Sequence, residues 1–142
     1  MKRKLFVSLF ILICCLNVGM GSMGDQASIK APATDKNFIA TVVDQDDVSL
    51  ELENVSFDGK TYLTGKMGKA DLSIDFEKIR SILFVETGGH LAAEVNLADN
   101  KRVALVLNKD VPCFGTSSFA DVRIMAYDIK KLVFKGKKQV NE

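Results

Sequence analysis

The residues with the most obvious capacity for metal chemistry form an acidic run, Asp-Gln-Asp-Asp, at positions 44–47. Calcium binds several carboxylate and carbonyl oxygens supplied by a single turn, as in an EF-hand loop. The EF-hand pattern fails here, because Val48 stands at the third liganding position and Val55 stands where a bidentate glutamate is needed. Aspartate also favours tight turns. We therefore predict a solvated hairpin turn at 44–47 and no metal site.

Asp71 and Asp121 are a second candidate site, because two carboxylates about 5 to 9 Å apart can divide the acid and base roles of glycoside hydrolysis. Each aspartate follows an alanine and precedes an alternating segment. This recurrence favours a shared structural role, in which each carboxylate accepts hydrogen bonds from loop amides after Gly65 and Gly115. A carboxylate-dependent enzyme acting on envelope glycans is the less favoured alternative.

The sequence contains few of the residues that nucleophilic, phosphate-binding or histidine-based sites require. The chain has one histidine, His90, which follows two glycines in an expected loop. The serines at 117–118 lack the glycines of a nucleophile elbow, and segment 65–68 is not followed by the lysine and hydroxyl residue of a P-loop. We predict that the protein is not an enzyme and has no catalytic residue, metal ligand or cofactor.

Residues 1–24 have the three-part pattern of a secretory signal peptide. Basic residues at 2–4 precede an apolar run at 5–16 that one serine interrupts, and small residues follow. A membrane-spanning helix needs about 20 apolar residues, which is more than this run supplies. We predict cleavage near Gly21 or Gly24, and export to the periplasm or the extracellular space.

The main alternative is an outer-membrane-associated lipoprotein anchored through Cys15. The preceding residues at 12–14, Leu-Ile-Cys, resemble a bacterial lipobox except at the last position, where a small residue is usual. A retained, unprocessed anchor is a third possibility.

The charge balance argues against a nucleic-acid partner. The chain carries 19 Lys+Arg and 18 Asp+Glu, and loss of residues 1–24 would move the net charge from +1 to −2. Such a surface lacks the basic excess that binds phosphate backbones. Cys113 would then be the single cysteine, so no internal disulfide is possible, and we predict a half-buried strand residue there.

An internal repeat organises the rest of the chain. Segments 65–84 and 115–134 align without a gap at an offset of 50 residues, with six of twenty positions identical. Upstream, the hairpin patterns at 41–52 and 94–107 also correspond, at offsets of 53 to 55. An insertion near 55–60 in the first repeat accounts for the difference.

Each repeat has the pattern of five short strands with one helical turn before the last strand. We predict that Ile79 and Ile129 are buried anchors beneath these two turns, with Gly65, Gly115 and the two aspartates as equivalent structural positions. The predicted fold is all-β, with two tandem repeats of about 50 residues that each form a small SH3-like barrel. The alternative is one fused pseudo-two-fold β-sandwich or barrel, because a unit of about 45 residues is small for an independent core.

The predicted boundaries follow from these patterns. Segment 1–24 is the signal peptide and segment 25–36 is a disordered leader. The first β repeat covers 37–87 and the second covers 91–135. Segment 136–142 is a polar tail.

The motif common to both repeats is a glycine, then Ala-Asp, then two isoleucines five residues apart and a closing phenylalanine. It resembles the motif of uncharacterised small β-repeat domains of secreted bacterial envelope proteins. Their commoner form has Phe-Gly or Tyr-Gly where this chain has Lys-Ala at 69–70 and Phe-Ala at 119–120. The resemblance implies an all-β fold and an envelope location, and it carries over no catalytic residues.

We therefore expect a secreted bacterial envelope protein that acts as a non-enzymatic binding or assembly module. Its expected partner is an envelope protein or a polysaccharide, with membrane contact only if the chain is lipidated. The sequence leaves the ligand and the oligomeric state open.

Overall fold

The computed structural model describes residues 28–139, which form an all-β structure. Within this range no helix is long and apolar enough to cross a membrane. The predicted signal peptide and Cys15 lie outside the described residues. The ten strands are β1 (Phe38–Asp44), β2 (Ser49–Phe57), β3 (Tyr62–Met67), β4 (Ala70–Asp75), β5 (Ile79–Thr87), β6 (His90–Leu97), β7 (Arg102–Leu107), β8 (Pro112–Thr116), β9 (Asp121–Met125) and β10 (Ile129–Lys137). Single 3-10 turns, Phe76–Lys78 and Ala126–Asp128, precede β5 and β10.

All ten strands belong to one curled antiparallel sheet, in the order β4-β3-β7-β6-β5-β10-β1-β2-β8-β9. Consecutive strands are joined by short turns at β1–β2, β3–β4, β5–β6, β6–β7 and β8–β9. The centre of the sheet is the pairing of β5 with β10, in which Ile82 lies opposite Leu132. The edge strands are β4 and β9, and each carries charged residues, as edge strands commonly do to avoid pairing with other chains.

The structure does not confirm a division into two small SH3-like barrels. The hairpin β1–β2 comes from segment 37–87 but pairs with β10 and β8 of segment 91–135. Conversely, β6 and β7 of the second segment pair with β5 and β3 of the first. Strands of each segment therefore lie between strands of the other in the sheet. This arrangement lets two short segments bury one larger apolar interior together.

A single core fills the inside of the curled sheet. Phe76, from the first 3-10 turn, is at its centre and is 1% exposed. Its ring centroid lies 4.7 Å from that of Phe134, 5.5 Å from that of Phe38 and 5.9 Å from that of Phe57. These partners come from β10, β1 and β2, so one side chain joins elements of both segments. Ile79 and Ile129 are both buried, and each directly follows a 3-10 turn.

Gly65 and Gly115 occupy corresponding places in β3 and β8. Gly65 pairs with Leu72 of β4, and Gly115 pairs with Val122 of β9. A Cβ atom on Gly115 would lie 2.8 Å from Cβ of Leu52, and one on Gly65 would lie 3.0 Å from Cβ of Leu105. Gly115 therefore allows β2 to lie close to β8, and Gly65 allows β7 to lie close to β3.

The ends of the described chain differ from the predicted leader and tail. The backbone N–H of Ala31 donates to Oδ2 of Asp121 at 3.1 Å, and Pro32 lies against Gly59. Residues 31–32 thus lie against the sheet. They belong to no strand, and a hydrogen bond and partial burial hold them there. At the other end, β10 includes Gly136 and Lys137, the first two residues of the segment predicted as a polar tail. Both pair with β1, Gly136 with Ile39 and Lys137 with Phe38.

Replacing Gly115 with alanine is expected to lower the free energy of unfolding by about 1 to 3 kcal/mol, because the new methyl group meets the stem of Leu52 rather than a mobile end. Denaturant unfolding measures the change. Arg123→Ala, at an exposed position of β9, is the control and should stay within about 0.5 kcal/mol of the wild type. An unchanged midpoint for Gly115→Ala would contradict the close approach of β2 and β8.

Candidate functional site

The acidic run at 44–47 forms a hairpin turn between β1 and β2. Oδ1 of Asp44 accepts hydrogen bonds from the backbone N–H groups of Asp46 and Val48, at 2.8 and 2.9 Å. Asp47 has a positive φ of 62° and pairs with Lys130, whose Nζ lies 2.6 Å from Oδ1. These carboxylates are thus engaged in the turn and in an ion pair. No group of three or more potential metal ligands occurs among residues 28–139.

Asp71 and Asp121 do not form a paired site. They lie on β4 and β9, the two strands at opposite ends of the sheet order. Asp71 lies 3.4 Å from Nζ of Lys66 and is exposed. Asp121 accepts hydrogen bonds from the Thr116 hydroxyl and the Ala31 backbone, both at 3.1 Å. Among the described residues, neither carboxylate accepts a hydrogen bond from a backbone amide of the loop after Gly65 or Gly115, which is the role that the sequence predicted.

The remaining residues singled out from the sequence carry no reactive arrangement. Cys113 lies in β8 and is fully buried, not half-buried as predicted, and burial raises the pKa of its thiol to about 12, so the nucleophilic thiolate is disfavoured. His90 is exposed at the start of β6, after Gly88 and Gly89. Both glycines have positive φ, as a tight two-residue hairpin turn requires.

Glu77 is the centre of a charged cluster that the sequence did not indicate. Its Oε1 lies 2.7 Å from Nζ of Lys137 and 3.0 Å from Nζ of Lys36. Hydrogen bonds from Lys137 and then from Lys36, together with their positive charges, lower the pKa of Glu77 to about 2. The carboxylate therefore remains ionised at any physiological pH, and it links Lys36, two residues before β1, to Lys137 at the end of β10.

A groove of about 470 Å³ lies beside this cluster. Phe134 lines it, and the charged groups of Glu77, Arg80, Lys135 and Lys137 surround it. Much of this charge is already used, because Arg80 donates to Oδ1 of Asn100 at 2.7 Å and the lysine at 137 holds Glu77. Three of the four charged side chains that line the groove, Glu77, Arg80 and Lys137, are thus engaged in ion pairs or hydrogen bonds within the protein.

The most distinctive surface is the outer side of β5, β6 and β7, opposite the core. Cross-strand pairs join Val85 to Ala92 and Ala92 to Val106, so these three side chains lie on one face. Leu83 and Ala104 continue the same face one pair further along β5 and β7. Leu83, Val85 and Val106 are 36%, 38% and 46% exposed. We refer to the five residues as the apolar face.

A wider groove borders the apolar face at its β7 side. It has a volume of about 560 Å³ and runs between β4, β3 and β7, lined by Leu72, Thr64, Lys66 and Val106 among others. Val106 belongs to both the groove and the apolar face, so the two form one continuous exposed surface. Lys66 and Asp71, which both line the groove, form an exposed salt bridge of 3.4 Å.

Sequence reasoning missed the apolar face because each of its residues reads as an ordinary strand position. A signal was nevertheless present in the repeat alignment. The position that corresponds to Val106 at the offset of 53 is Glu53, and the one that corresponds to Ala104 is Glu51. A comparison of outward-facing positions between the repeats would have marked this surface as unusually apolar.

Replacing Glu77 with glutamine is expected to reduce stability at neutral pH and to have no effect near pH 2. Because the pKa of Glu77 is lowered from 4.5 to about 2 in the folded state, its ionisation stabilises the fold above pH 4.5, and this contribution is lost as the pH falls toward 2. Thermal unfolding of both proteins across this pH range measures the difference. Glu86→Gln, which removes no ion pair among the described residues, is the control. A difference that persists at pH 2 would contradict the role of the ion pairs.

Comparisons with known proteins place the chain in a family. A family model described as "Uncharacterised protein" matches residues 34–137, which include all ten strands. The chain is also 25% identical over 132 residues to an uncharacterized protein of Aquifex aeolicus (strain VF5), with 92% of each chain covered. No solved structure matches it. From the family match, the chain belongs to the family of uncharacterised proteins that this model describes.

Proposed function

We propose that the protein is an exported module of the bacterial envelope, periplasmic or extracellular, that acts by binding or assembly and not by catalysis. The observation that carries the proposal is the apolar face. Exposed aliphatic side chains that are contiguous on one sheet face mark contact surfaces more often than scattered ones do. The sequence pattern of residues 1–24 supports export.

The proposal includes a duplicated fold, with two repeats of about 50 residues fused about a pseudo-two-fold axis. The pairing of β5 with β10 supports this reading, because Ile82 lies opposite Leu132, its equivalent 50 residues later. A two-fold rotation about this pair exchanges the two pairs on either side, Leu83 with Lys131 and Ser81 with Val133. An axis through the Ile82–Leu132 pair exchanges each member of these pairs with its equivalent.

Turn contacts repeat in the same way. The backbone N–H of Gln45 donates to the carbonyl of Asp128 at 2.9 Å, and that of Ala98 donates to the carbonyl of Lys78 at 2.8 Å. In both cases the turn of a hairpin rests on a 3-10 turn. Such recurrence in hydrogen bonding supports duplication independently of the residues that align in sequence.

The duplication supplies an internal control for the apolar face. Val106 pairs with Lys66, and its equivalent Glu53 pairs with Thr116. Similar strands thus carry an exposed valine in one half and, in the other, a half-buried glutamate that pairs with Lys138. Since the fold accepts charge at this position, the valine is not needed for folding. We attribute the exposed apolar side chains to contact with a protein partner.

The sequence left two alternatives, a lipoprotein anchored through Cys15 and an enzyme that acts on envelope glycans. A lipoprotein anchored through Cys15 would keep the same binding face and add attachment to a membrane. An enzyme acting on envelope glycans receives no support, because Asp71 and Asp121 lie on opposite edge strands.

A photo-reactive residue at position 106 tests the proposal in cells that make the protein. We expect p-benzoylphenylalanine in place of Val106 to form a discrete cross-linked protein adduct in the envelope fraction. The same residue in place of Glu53 is the matched control and should give only background. Gel analysis and mass spectrometry identify the products.

Equal adducts from both positions, or none from position 106, would contradict binding through the apolar face. The mass of the mature chain in the same samples tests export and anchoring. We expect an N-terminus near Ser22 or Asp25, whereas an acylated Cys15 would support the lipoprotein alternative.

A further inference from the structure

Resting on the binding role proposed above, we propose that a second copy of this chain binds the outer side of the sheet across β5, where Leu83 and Val85 of the apolar face lie. The two copies would pack face to face as a symmetric dimer about a two-fold axis that runs along β5. Such an interface uses the same patch on both copies, so the patch must be complementary to itself.

One row of side chains across the sheet has this property. Cross-strand pairs link Ala104 to Glu94, Glu94 to Leu83, Leu83 to Lys131, and Lys131 to Val43. Residues directly opposite each other in antiparallel strands point to the same face. The row therefore reads apolar, negative, apolar, positive, apolar, from β7 to β1.

Rotation about an axis along β5 superimposes this row on itself in reverse order. Leu83 of one copy would then face Leu83 of the other. Glu94 of each copy would face Lys131 of the other, which gives two such contacts, one on either side of the axis. Ala104 of each copy would face Val43 of the other at the outer ends of the row. Every contact in the row is thus apolar with apolar or negative with positive, which is the charge complementarity that a symmetric dimer needs.

Glu94 and Lys131 are free to make these contacts. Both are exposed, and neither takes part in a salt bridge with another described residue. Leu83 lies between them, their backbones stand two strand spacings apart, about 10 Å, and they form no ion pair with each other. A partner copy would supply the opposite charge to each.

The geometry favours face-to-face packing over extension of the sheet through its edges. The edge strand β9 has residue Ala31 bound to its Asp121, and the other edge strand β4 carries Asp71 and Asp75. Charged edge strands oppose the addition of further strands. A five-strand row is about 20 Å wide, so the interface is small and the dissociation constant is expected in the micromolar range.

A charge exchange tests the dimer most sharply. Sedimentation equilibrium of the processed chain, as isolated from cells that make it, gives the dimer dissociation constant. Glu94→Lys and Lys131→Glu should each weaken the dimer roughly tenfold, because each sets like charges against each other at two symmetric places. The double variant should return to within about threefold of the wild type. Asp110→Lys and Lys109→Glu, in the turn before β8, are controls for the change of charge alone and should have no effect.

A wild-type chain that stays monomeric at all concentrations, or a double variant as weak as the sum of its single changes, would overturn the inference. Failure of the dimer can be told apart from failure of the binding role. An adduct from position 106 with a different envelope protein would uphold binding and exclude the second copy as partner, whereas an adduct of twice the chain mass supports the dimer.

Discussion

The structure depends on one constraint: ten short strands from two segments enclose a single apolar interior that neither segment encloses alone. The packing of Phe76 shows this constraint most directly. Its ring contacts Phe38, Phe57 and Phe134, which come from three different strands. Two of these partners belong to the hairpin β1–β2, which pairs with β10 and β8 of the other segment. Folding of each half is therefore coupled to folding of the other, and the free energy of burial is gained only when both are present.

A shared interior leaves the outer side of the sheet free to differ between the halves. The core positions of corresponding strands agree closely, as with Leu52 and Leu105, which are both buried. The outward positions next to them do not agree, because Glu53 corresponds to Val106. In the proposed duplication, the two halves are thus alike on the inside, while the outside of β5, β6 and β7 carries the apolar face. The proposed function and the proposed dimer both rest on this difference.

The local features of the fold follow from sequence patterns, because short-range chemistry determines them. The acidic run at 44–47 is a turn, as aspartate chemistry predicts, and Ile79 and Ile129 are buried after single helical turns. The partners of each strand do not follow, because alternation tells which side of a strand is buried but not which strand lies beside it. Alternation alone therefore does not decide between two separate barrels, in which the hairpin β1–β2 would pair within its own segment, and one fused structure. The cluster at Glu77 was missed for a similar reason, since Lys137 is 60 residues distant along the chain.

The most direct measurement of the shared core is the folding of the two segments apart and together. The turn at Gly88 and Gly89 divides the chain between β5 and β6, so residues 28–87 and 88–139 can be made as separate polypeptides. Circular dichroism during thermal unfolding should show no cooperative transition for either fragment alone, and a cooperative transition after equimolar mixing. A cooperative transition in one isolated fragment would contradict a single interior shared by both segments.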